Sequence, residues 1–337
     1  MRRSLLRLSI PFREPFATAS GVVAARDVLL LRLEDDGVAG FGEAAPFEPY
    51  DGVPLERVAE ALLNEDLEAG DAPPQARAAE EMARLDLAAR SQGRALGDPG
   101  AEAIAVNHTL PAGPPEEIAA AAGRAARAGY SCFKLKVGLP DDAERVAAVR
   151  GAIGSWPALR VDANGAWTVE EAIERVPEIA AHDIELFEQP CQTLAELAEV
   201  RRALGVPIAA DESVATPADV EAAVEAEACD AVNVKLAASG GFTAARETLR
   251  AATANGLEPY LSSTLDGPWG IAAALQLAAS EDVSLACGLA TLELFDAELV
   301  DALPRPSVGL QAVPQGAGLG VEVDEAALAE VLVEELE

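Results

Sequence analysis

Three acidic residues at nearly even intervals give the strongest chemical signal in the sequence. Asp162, Glu188 and Asp211 each stand at the end of a short apolar segment. Carboxylate oxygens with no histidine or cysteine nearby suit a hard divalent cation, so we expect Mg²⁺, or alternatively Mn²⁺, rather than zinc or copper. Such a cation can bind a substrate carboxylate and stabilise the negative charge that forms when a proton leaves the adjacent carbon.

Three lysines near these acids are candidate bases. Lys134 and Lys136 are two residues apart in a segment with a strand pattern, so both side chains point to the same face. Neighbouring ammonium groups, together with a bound metal ion, disfavour each other's protonated form. We therefore expect a lowered pKa for one of the pair, which can then act as a general base. Lys235 lies on a later segment and would approach the same carbon from the opposite side.

Short apolar segments that alternate with helical stretches must position these residues. The segments have the length and aliphatic content of strands buried on both faces. Helix starts are readable between them, as a threonine followed by an acid three residues later or by a proline. These starts are Thr168 with Glu171, Thr193 with Glu196, and Thr216 with Pro217. The strand candidates are 103–110, 132–138, 159–165, 184–190, 206–212, 231–238, 258–264 and 283–290.

Eight alternating units predict an α/β fold, a (β/α)7β TIM-like barrel. Functional side chains of such barrels lie at the C-terminal ends of the strands, where all three acids and all three lysines fall. The first hundred residues instead predict antiparallel strands with a hairpin turn at Asp36 and Gly37, then helices, and so an α+β capping domain. We predict this capping domain over 1–100, the barrel over 101–310, and a C-terminal segment over 311–337 that packs back on the capping domain.

The composition narrows the class of protein. The 57 acidic and 25 basic residues give a net charge of −32, which disfavours nucleic acid and anionic membranes as partners. We expect a small-molecule carboxylate as the partner, and the sequence leaves open whether the chain forms a homo-oligomer. Four scattered cysteines without CxxC spacing predict buried free thiols. With no signal peptide or long apolar run apparent, we expect a cytoplasmic protein.

Two segments of the predicted capping domain are candidates for a lid over the barrel mouth. The segment 16–27 is rich in small residues and is expected to be flexible, and 46–54 places Phe47 and Tyr50 between turn residues. Closure of such a lid would exclude water and contribute to substrate choice.

Five motifs follow one another along the chain: KLK at 134–136, DANGAW at 162–167, EQP at 188–190, DES at 211–213, and Lys235 followed by SGG at 239–241. In this order they resemble the enolase superfamily, muconate lactonizing enzyme subgroup. The resemblance covers nearly the whole chain, because that family also carries an N-terminal α+β capping domain. It implies that the three carboxylates bind Mg²⁺, that Lys136 is the acid/base with Lys134 as its electrostatic partner, and that Lys235 is the lysine on the other face.

Within that subgroup the sequence is most similar to o-succinylbenzoate synthases, which dehydrate a cyclohexadiene carboxylate in menaquinone biosynthesis. The similarity lies in FEQPCQTLAEL, IAADES, LSSTLDGPWGIAAALQLAA and SLACGLATLELF. It implies an enediolate intermediate, with Lys136 removing the proton alpha to the carboxylate and then protonating the departing hydroxyl. Lys235 would stay charged against the ring. The candidate substrate-binding residues are Ser262, Ser263, Tyr50 and Gly240.

Other reactions remain open at this point. Dipeptide epimerases of the L-Ala-D/L-Glu type share the two lysines and hold the substrate's ammonium group with Asp-x-Asp after the eighth strand, where this chain reads ACGLAT with no acid before Glu293 and Asp296. N-succinylamino acid racemases would also use both lysines. A histidine base on the seventh strand, as in mandelate racemase-like members, is excluded because His108 and His182 come earlier. A binding barrel without catalysis is the remote alternative.

Overall fold

An antiparallel sheet and three helices form the N-terminal part of the computed structural model, which describes residues 1–18, 21–65, 67, 72–97, 100–110 and 113–336. The predicted hairpin at Asp36 and Gly37 is confirmed, since both residues have a positive φ and the flanking strands pair antiparallel. The elements are β1 (Arg2–Thr18), β2 (Gly21–Asp35), β3 (Val38–Ala44), α1 (Glu48–Asp51), α2 (Leu55–Asn64) and α3 (Pro74–Ser91).

One face of this sheet packs on α2 and α3. Leu31 and Leu33 of β2 and Val58 and Leu62 of α2 are completely buried in the same cluster. Full burial of one such side chain contributes roughly 1.5–3 kcal/mol. Strand β3 lies very close to α3. A β-carbon at Gly42 would stand only 1.9 Å from a backbone oxygen of the helix. Glycine is therefore required at that position.

A parallel sheet of seven strands forms the barrel, in the order β11-β10-β9-β8-β7-β6-β5. Each strand is followed by one or two helices, as the alternating sequence pattern predicts. The elements are β4 (Ala103–Ala105), β5 (His108–Leu110), α4 (Pro115–Arg127), β6 (Cys132–Lys136), α5 (Asp142–Ile153), β7 (Ala158–Asp162), α6 (Val169–Ala180), β8 (Leu186–Glu188), α7 (Leu194–Leu204), β9 (Ile208–Ala210), α8 (Pro217–Glu225), β10 (Ala231–Val234), α9 (Leu236–Ser239), α10 (Phe242–Ala254), β11 (Glu258–Leu261) and α11 (Pro268–Ser280).

An eighth segment closes the barrel between β11 and β5. Cys287 bridges Val106 and Gly288 bridges Ser262, both in parallel. The (β/α)7β prediction is confirmed, but the expected strand at 283–290 is reduced to these two bridges. Close packing requires glycine at position 288, because a β-carbon there would stand 2.7 Å from the β-carbon of Ser262.

The expected strand at 103–110 divides into two parts with different partners. β4 pairs antiparallel with a strand near the C-terminus, whereas β5 pairs parallel with β6. Backbone hydrogen bonds join the two parts to the eighth segment: Cys287 donates its N–H to Ala105 and accepts the N–H of Asn107. The chain therefore changes partner within this segment, which a continuous apolar pattern does not reveal.

The C-terminal residues return to the capping sheet. A 3-10 helix (Thr291–Leu294) follows the eighth segment, and the last strand of the chain pairs antiparallel with β1. The exact domain bounds at 100 and 310 stay predictions. The remaining elements are β12 (Val300–Asp301), β13 (Leu310–Ala312), β14 (Glu322–Val323), α12 (Glu325–Val331) and β15 (Leu332–Leu336).

Local sequence signals of the barrel are reproduced closely. The threonine N-caps at Thr168, Thr193 and Thr216 each form a reciprocal capping box, which satisfies backbone N–H groups at the first helical turn. All four cysteines are buried and free, as predicted. Across the part of the chain that the structure describes, every helix is too short or too polar to span a lipid bilayer.

The two lid candidates have different outcomes. The segment 16–27 was expected to be a flexible loop, but β1 and β2 extend through most of it, with Ala17 paired to Val22. This expectation was wrong for the described backbone, because small residues such as these also fit paired extended strands. Residues 19 and 20 lie outside the described residues. The segment 46–54 contains α1, which carries Tyr50 toward the barrel mouth.

Candidate active site

The three predicted metal ligands meet at the C-terminal ends of adjacent strands. Asp162 ends β7 and pairs in parallel register with Glu188, which ends β8, and Asp211 directly follows β9. One oxygen from each carboxylate lies within 4.8 Å of the others, and all three residues are buried. Three hard oxygen donors at this spacing fit a divalent cation such as Mg²⁺.

Tight turns after the strands hold these carboxylates. Asn164, in the left-handed region at φ 46°, donates its backbone N–H to Asp162 Oδ1 over 3.0 Å. Gln189, also at positive φ, accepts the backbone N–H of Asp211 on its side-chain oxygen over 2.8 Å. Asn164 of DANGAW therefore orients the carboxylate of Asp162, and Gln189 of EQP holds the backbone of Asp211.

Lys134 and Lys136 both point into the barrel, as their spacing predicts. Lys134 Nζ lies 2.9 Å from both Asp162 Oδ2 and Glu188 Oε1. Lys136 Nζ donates to Asp162 Oδ2 and to Asn164 Oδ1, each over 2.6 Å, and its side chain keeps 35% of its surface exposed. Lys136 is thus the member of the pair that is open to the barrel mouth, whereas Lys134 is buried among the acids.

The lowered pKa expected for one lysine of the pair is not found at Lys134. Burial favours a lower pKa for Lys134, but the carboxylates of Asp162 and Glu188 outweigh burial and raise it. Lys134 accordingly stays charged, which suits an electrostatic rather than a proton-transferring role.

Negative charge is concentrated in the carboxylate cluster. Burial opposes the ionised form of Asp162, but Lys134 and Lys136 outweigh burial and lower its pKa. The pKa of Glu188 is raised by burial and then by the charge of Asp162, and the pKa of Asp211 is raised chiefly by burial. Additional positive charge would stabilise both ionised acids, which is a second reason that these residues fit a cation.

Lys235 faces the other lysines from the opposite side of the barrel. It follows β10, four strands from β6, and its ammonium group donates to Asp211 Oδ1. Tyr50 of the capping domain covers this region: its hydroxyl donates to Asp211 Oδ2 over 3.2 Å, and Lys235 Nζ lies 5.2 Å from its ring centroid. Tyr50 is therefore in place to contact a substrate, although that role stays a prediction.

The structure separates the two serines predicted to bind substrate. Ser262 follows β11 and is buried, and its hydroxyl has no hydrogen-bond partner among the described atoms. Ser263 instead shares a hydrogen bond with Thr291, Oγ to Oγ1 at 2.8 Å. Side chains two residues apart on a strand share a face, and Tyr260 contacts Glu188 inside the barrel, so Ser262 is the serine directed inward. The predicted binding role fits Ser262 better than Ser263.

Gly240, the fourth predicted substrate-binding residue, lies against the capping domain. It ends α9 with φ 92°, and a β-carbon there would stand 3.3 Å from Arg77 Nε of α3. Its observed contact is thus packing between the barrel and the capping domain. A substrate contact for Gly240 stays a prediction.

Sequence reasoning missed three polar residues inside the barrel. Arg160, Asn233 and Tyr260 are buried, and Asn233 and Tyr260 bind the carboxylate of Glu188 directly. A signal for them was available, because each stands two residues before a position already identified at the mouth and shares its inward face. Their polar character in otherwise apolar strands then indicates a specific partner.

The acid that follows the eighth segment faces away from the mouth. Glu293 Oε2 accepts the hydroxyl of Tyr130 over 2.9 Å and lies 4.0 Å from His108 Nδ1. His108 pairs in register with Phe133, which alternates with the inward Lys134, so the group lies on the outer face of the barrel. Burial lowers the pKa of His108, which suits this packed position. Asp296, the next acid, is exposed.

Comparison with known proteins supports the same family. Residues 117–327 match the model of the enolase C-terminal domain-like family. The o-succinylbenzoate synthase of Thermobifida fusca is 36% identical over 329 residues, which cover 96% of this chain and 91% of the relative. The L-Ala-D/L-Glu epimerase of Bacillus subtilis is 33% identical, with 82% of this chain and 83% of the relative covered.

A solved structure extends this similarity to three dimensions. The dipeptide epimerase from Cytophaga hutchinsonii, complexed with Mg and the dipeptide D-Ala-L-Val, superposes with a TM-score of 0.89 at 26% identity. The match covers 99% of this chain and 98% of that structure. With its capped barrel, its carboxylate cluster and these relatives, the chain belongs to the enolase superfamily.

Proposed function

We propose that the chain is a Mg²⁺-dependent dehydratase of the o-succinylbenzoate synthase type. The observation that carries this choice is the position of Glu293, which Tyr130 holds on the outer face of the barrel. The mouth after the eighth segment thus receives no carboxylate from Glu293 to bind a substrate's ammonium group. A substrate that carries carboxylates and no ammonium group suits such a mouth.

Asp162, Glu188 and Asp211 would hold the metal, as the fit of their oxygens to a hard cation supports. When bound, Mg²⁺ supplies positive charge that stabilises an enediolate and so makes the alpha proton of a carboxylate removable. Lys134 adds a fixed positive charge beneath this position, because it contacts two of the three acids.

Lys136 is the proposed acid/base. Its side chain is partly exposed, and its ammonium nitrogen lies between Asp162 and Asn164, which fix its direction toward the mouth. As the neutral amine it would take the alpha proton, leaving the electron pair of the broken C–H bond in the enediolate. It would then return that proton to the departing hydroxyl on the same face, so that water leaves and a carbon–carbon double bond forms.

Lys235 and the capping residues would bind the rest of the substrate. Lys235 lies across the barrel from Lys136 and already contacts an aromatic face at Tyr50, so a charged Lys235 against a substrate ring is a comparable interaction. The hydroxyl of Ser262, which has no hydrogen-bond partner among the described residues, is a ready donor for a succinyl carboxylate.

Racemisation of N-succinylamino acids is the second candidate. The observation in its favour is that Lys136 and Lys235 stand on opposite sides of the same cavity, which is the arrangement that two-base proton transfer requires. An N-succinyl group removes the ammonium charge, so the outward position of Glu293 does not count against this reaction. Dipeptide epimerisation, the other isomerase alternative, is disfavoured by that position.

The test is a comparison of substrates with the purified protein and Mg²⁺. We expect dehydration of the cyclohexadiene carboxylate used by o-succinylbenzoate synthases, followed by absorbance, and no epimerisation of a panel of L,L-dipeptides, followed by proton NMR in D₂O. N-succinylamino acids in the same panel report the second candidate. Dipeptide epimerisation without dehydration would refute the proposal.

A further inference from the structure

Tyr260 is a polar residue in a part of the barrel that is usually aliphatic. It lies on β11, two residues before Ser262, and is 1% exposed. Its hydroxyl donates to Glu188 Oε2 over 2.9 Å. A buried tyrosine hydroxyl requires such a partner, and here the partner is one of the three clustered carboxylates.

The contacts of Glu188 leave its carboxylate little freedom. Lys134 Nζ and Asn233 Nδ2 both donate to Oε1, over 2.9 and 3.0 Å, while Tyr260 is the donor that the structure gives to Oε2. Donors on both oxygens fix the plane of the carboxylate. Without the tyrosine hydroxyl, that plane would be held through Oε1 alone.

Tyr260 is itself held from below by a buried arginine. The guanidinium of Arg160 lies 4.9 Å from the ring centroid of Tyr260. Arg160 is anchored in turn, because it donates to Glu185 Oε2 over 2.5 Å and to the backbone oxygen of Ala286 over 2.7 Å. A column of polar contacts therefore runs along the barrel interior from Glu185 through Arg160 and Tyr260 to Glu188.

We propose that Tyr260 is a positioning residue for the metal site, which fixes the carboxylate of Glu188 through its hydroxyl and is itself oriented by Arg160. This inference rests on the proposed function in that it places a divalent cation at the three carboxylates. Hydrogen-bond partners of metal ligands orient those ligands, and their loss typically lowers metal affinity about 10- to 100-fold. Tyr260 touches neither the cation nor the substrate in this role.

Tyr260→Phe is the direct test, because it deletes one hydroxyl and keeps the ring over Arg160. We expect Mn²⁺ affinity, measured by electron paramagnetic resonance and by calorimetry, to fall at least about tenfold. Turnover should recover as the metal concentration is raised, with little change in the KM for substrate. The matched control is Tyr130→Phe, which deletes the hydroxyl that binds Glu293 on the outer face and should leave Mn²⁺ affinity unchanged.

The outcomes separate this inference from the proposed function. Tight Mn²⁺ binding by the wild type with an equal or higher affinity in Tyr260→Phe would overturn the positioning role alone. An equal loss in Tyr130→Phe would also overturn it, since the effect would then not be specific to Glu188. Absence of Mn²⁺ binding by the wild type would overturn both proposals. Circular dichroism of each variant identifies any loss of Mn²⁺ binding that comes from misfolding. If Tyr260→Phe misfolds, Tyr260→Leu replaces it, and recovery of Mn²⁺ binding at high metal concentration is then the result that supports the positioning role.

Discussion

Glu43 links the capping domain to the barrel, and its replacement gives a prediction with a definite sign. The carboxylate is buried on β3 and accepts the backbone N–H groups of Gly267, over 2.5 Å, and Gly270, over 3.3 Å, at the start of α11. Burial and then the nearby Asp266 raise the pKa of Glu43 from 4.5 to about 8. Burial also raises the pKa of Asp266 to about 6.

The raised pKa means that the folded protein holds the proton of Glu43 more tightly than the unfolded chain does. Its stabilising effect is therefore complete below about pH 4.5 and is lost as the pH rises through about 8. Each pH unit between these values lowers the free energy of unfolding by about 1.4 kcal/mol, which reaches roughly 5 kcal/mol at the upper end. Asp266 acts in the same direction over a lower and narrower range.

Glu43→Gln removes this titration and keeps a side-chain oxygen that can accept the N–H of Gly267. We expect the variant and the wild type to be similarly stable near pH 5, and the variant to be the more stable by several kcal/mol at pH 8. Urea unfolding at a series of pH values measures the difference, and the fluorescence of the buried Trp269 in α11 reports this region directly. The control is Glu247→Gln at an exposed helical position. A stability difference independent of pH, or one that favours the wild type at pH 8, would refute the reasoning.

Three further predictions follow from the helix caps, the substrate serines and the carboxylate cluster. Thr193→Ala removes the acceptor of the Glu196 N–H and should lower the free energy of unfolding by about 1 kcal/mol, measured with urea; an unchanged value would contradict the capping role. Ser262→Ala should raise KM at least about tenfold while Ser263→Ala changes it little, and the reverse order in steady-state kinetics would exclude the proposed carboxylate contact. Chelation should abolish turnover and lower the melting temperature, and added Mg²⁺ should restore both; full activity after chelation would argue against a metal enzyme.

The barrel was predictable because its signals are local. Buried parallel strands leave continuous apolar segments, and threonine capping boxes mark the following helices, as at Thr168 and Thr193. The clustering of the acids follows from topology alone, since equivalent strand ends meet at one mouth. The position of Lys136 at that mouth was available from the sequence for the same reason.

What the sequence left hidden depends on contacts between distant segments. The raised pKa of Lys134 requires knowing that two carboxylates touch it. The outward position of Glu293 depends on Tyr130, which is remote in sequence. The pairing of β1 with β2 within 16–18 and 21–27 was missed because small residues indicate loops and extended strands alike. The eighth strand was overestimated, because an apolar segment does not show how much of it pairs.

The identity of the base is tested most directly with Lys136→Ala in D₂O. Proton NMR of the synthase substrate with Mg²⁺ measures both exchange of the alpha proton and dehydration. We predict that Lys136→Ala loses both, while Lys235→Ala slows dehydration but still exchanges the alpha proton, since Lys136 remains. Alpha-proton exchange or dehydration at the wild-type rate in Lys136→Ala would contradict the proposed mechanism.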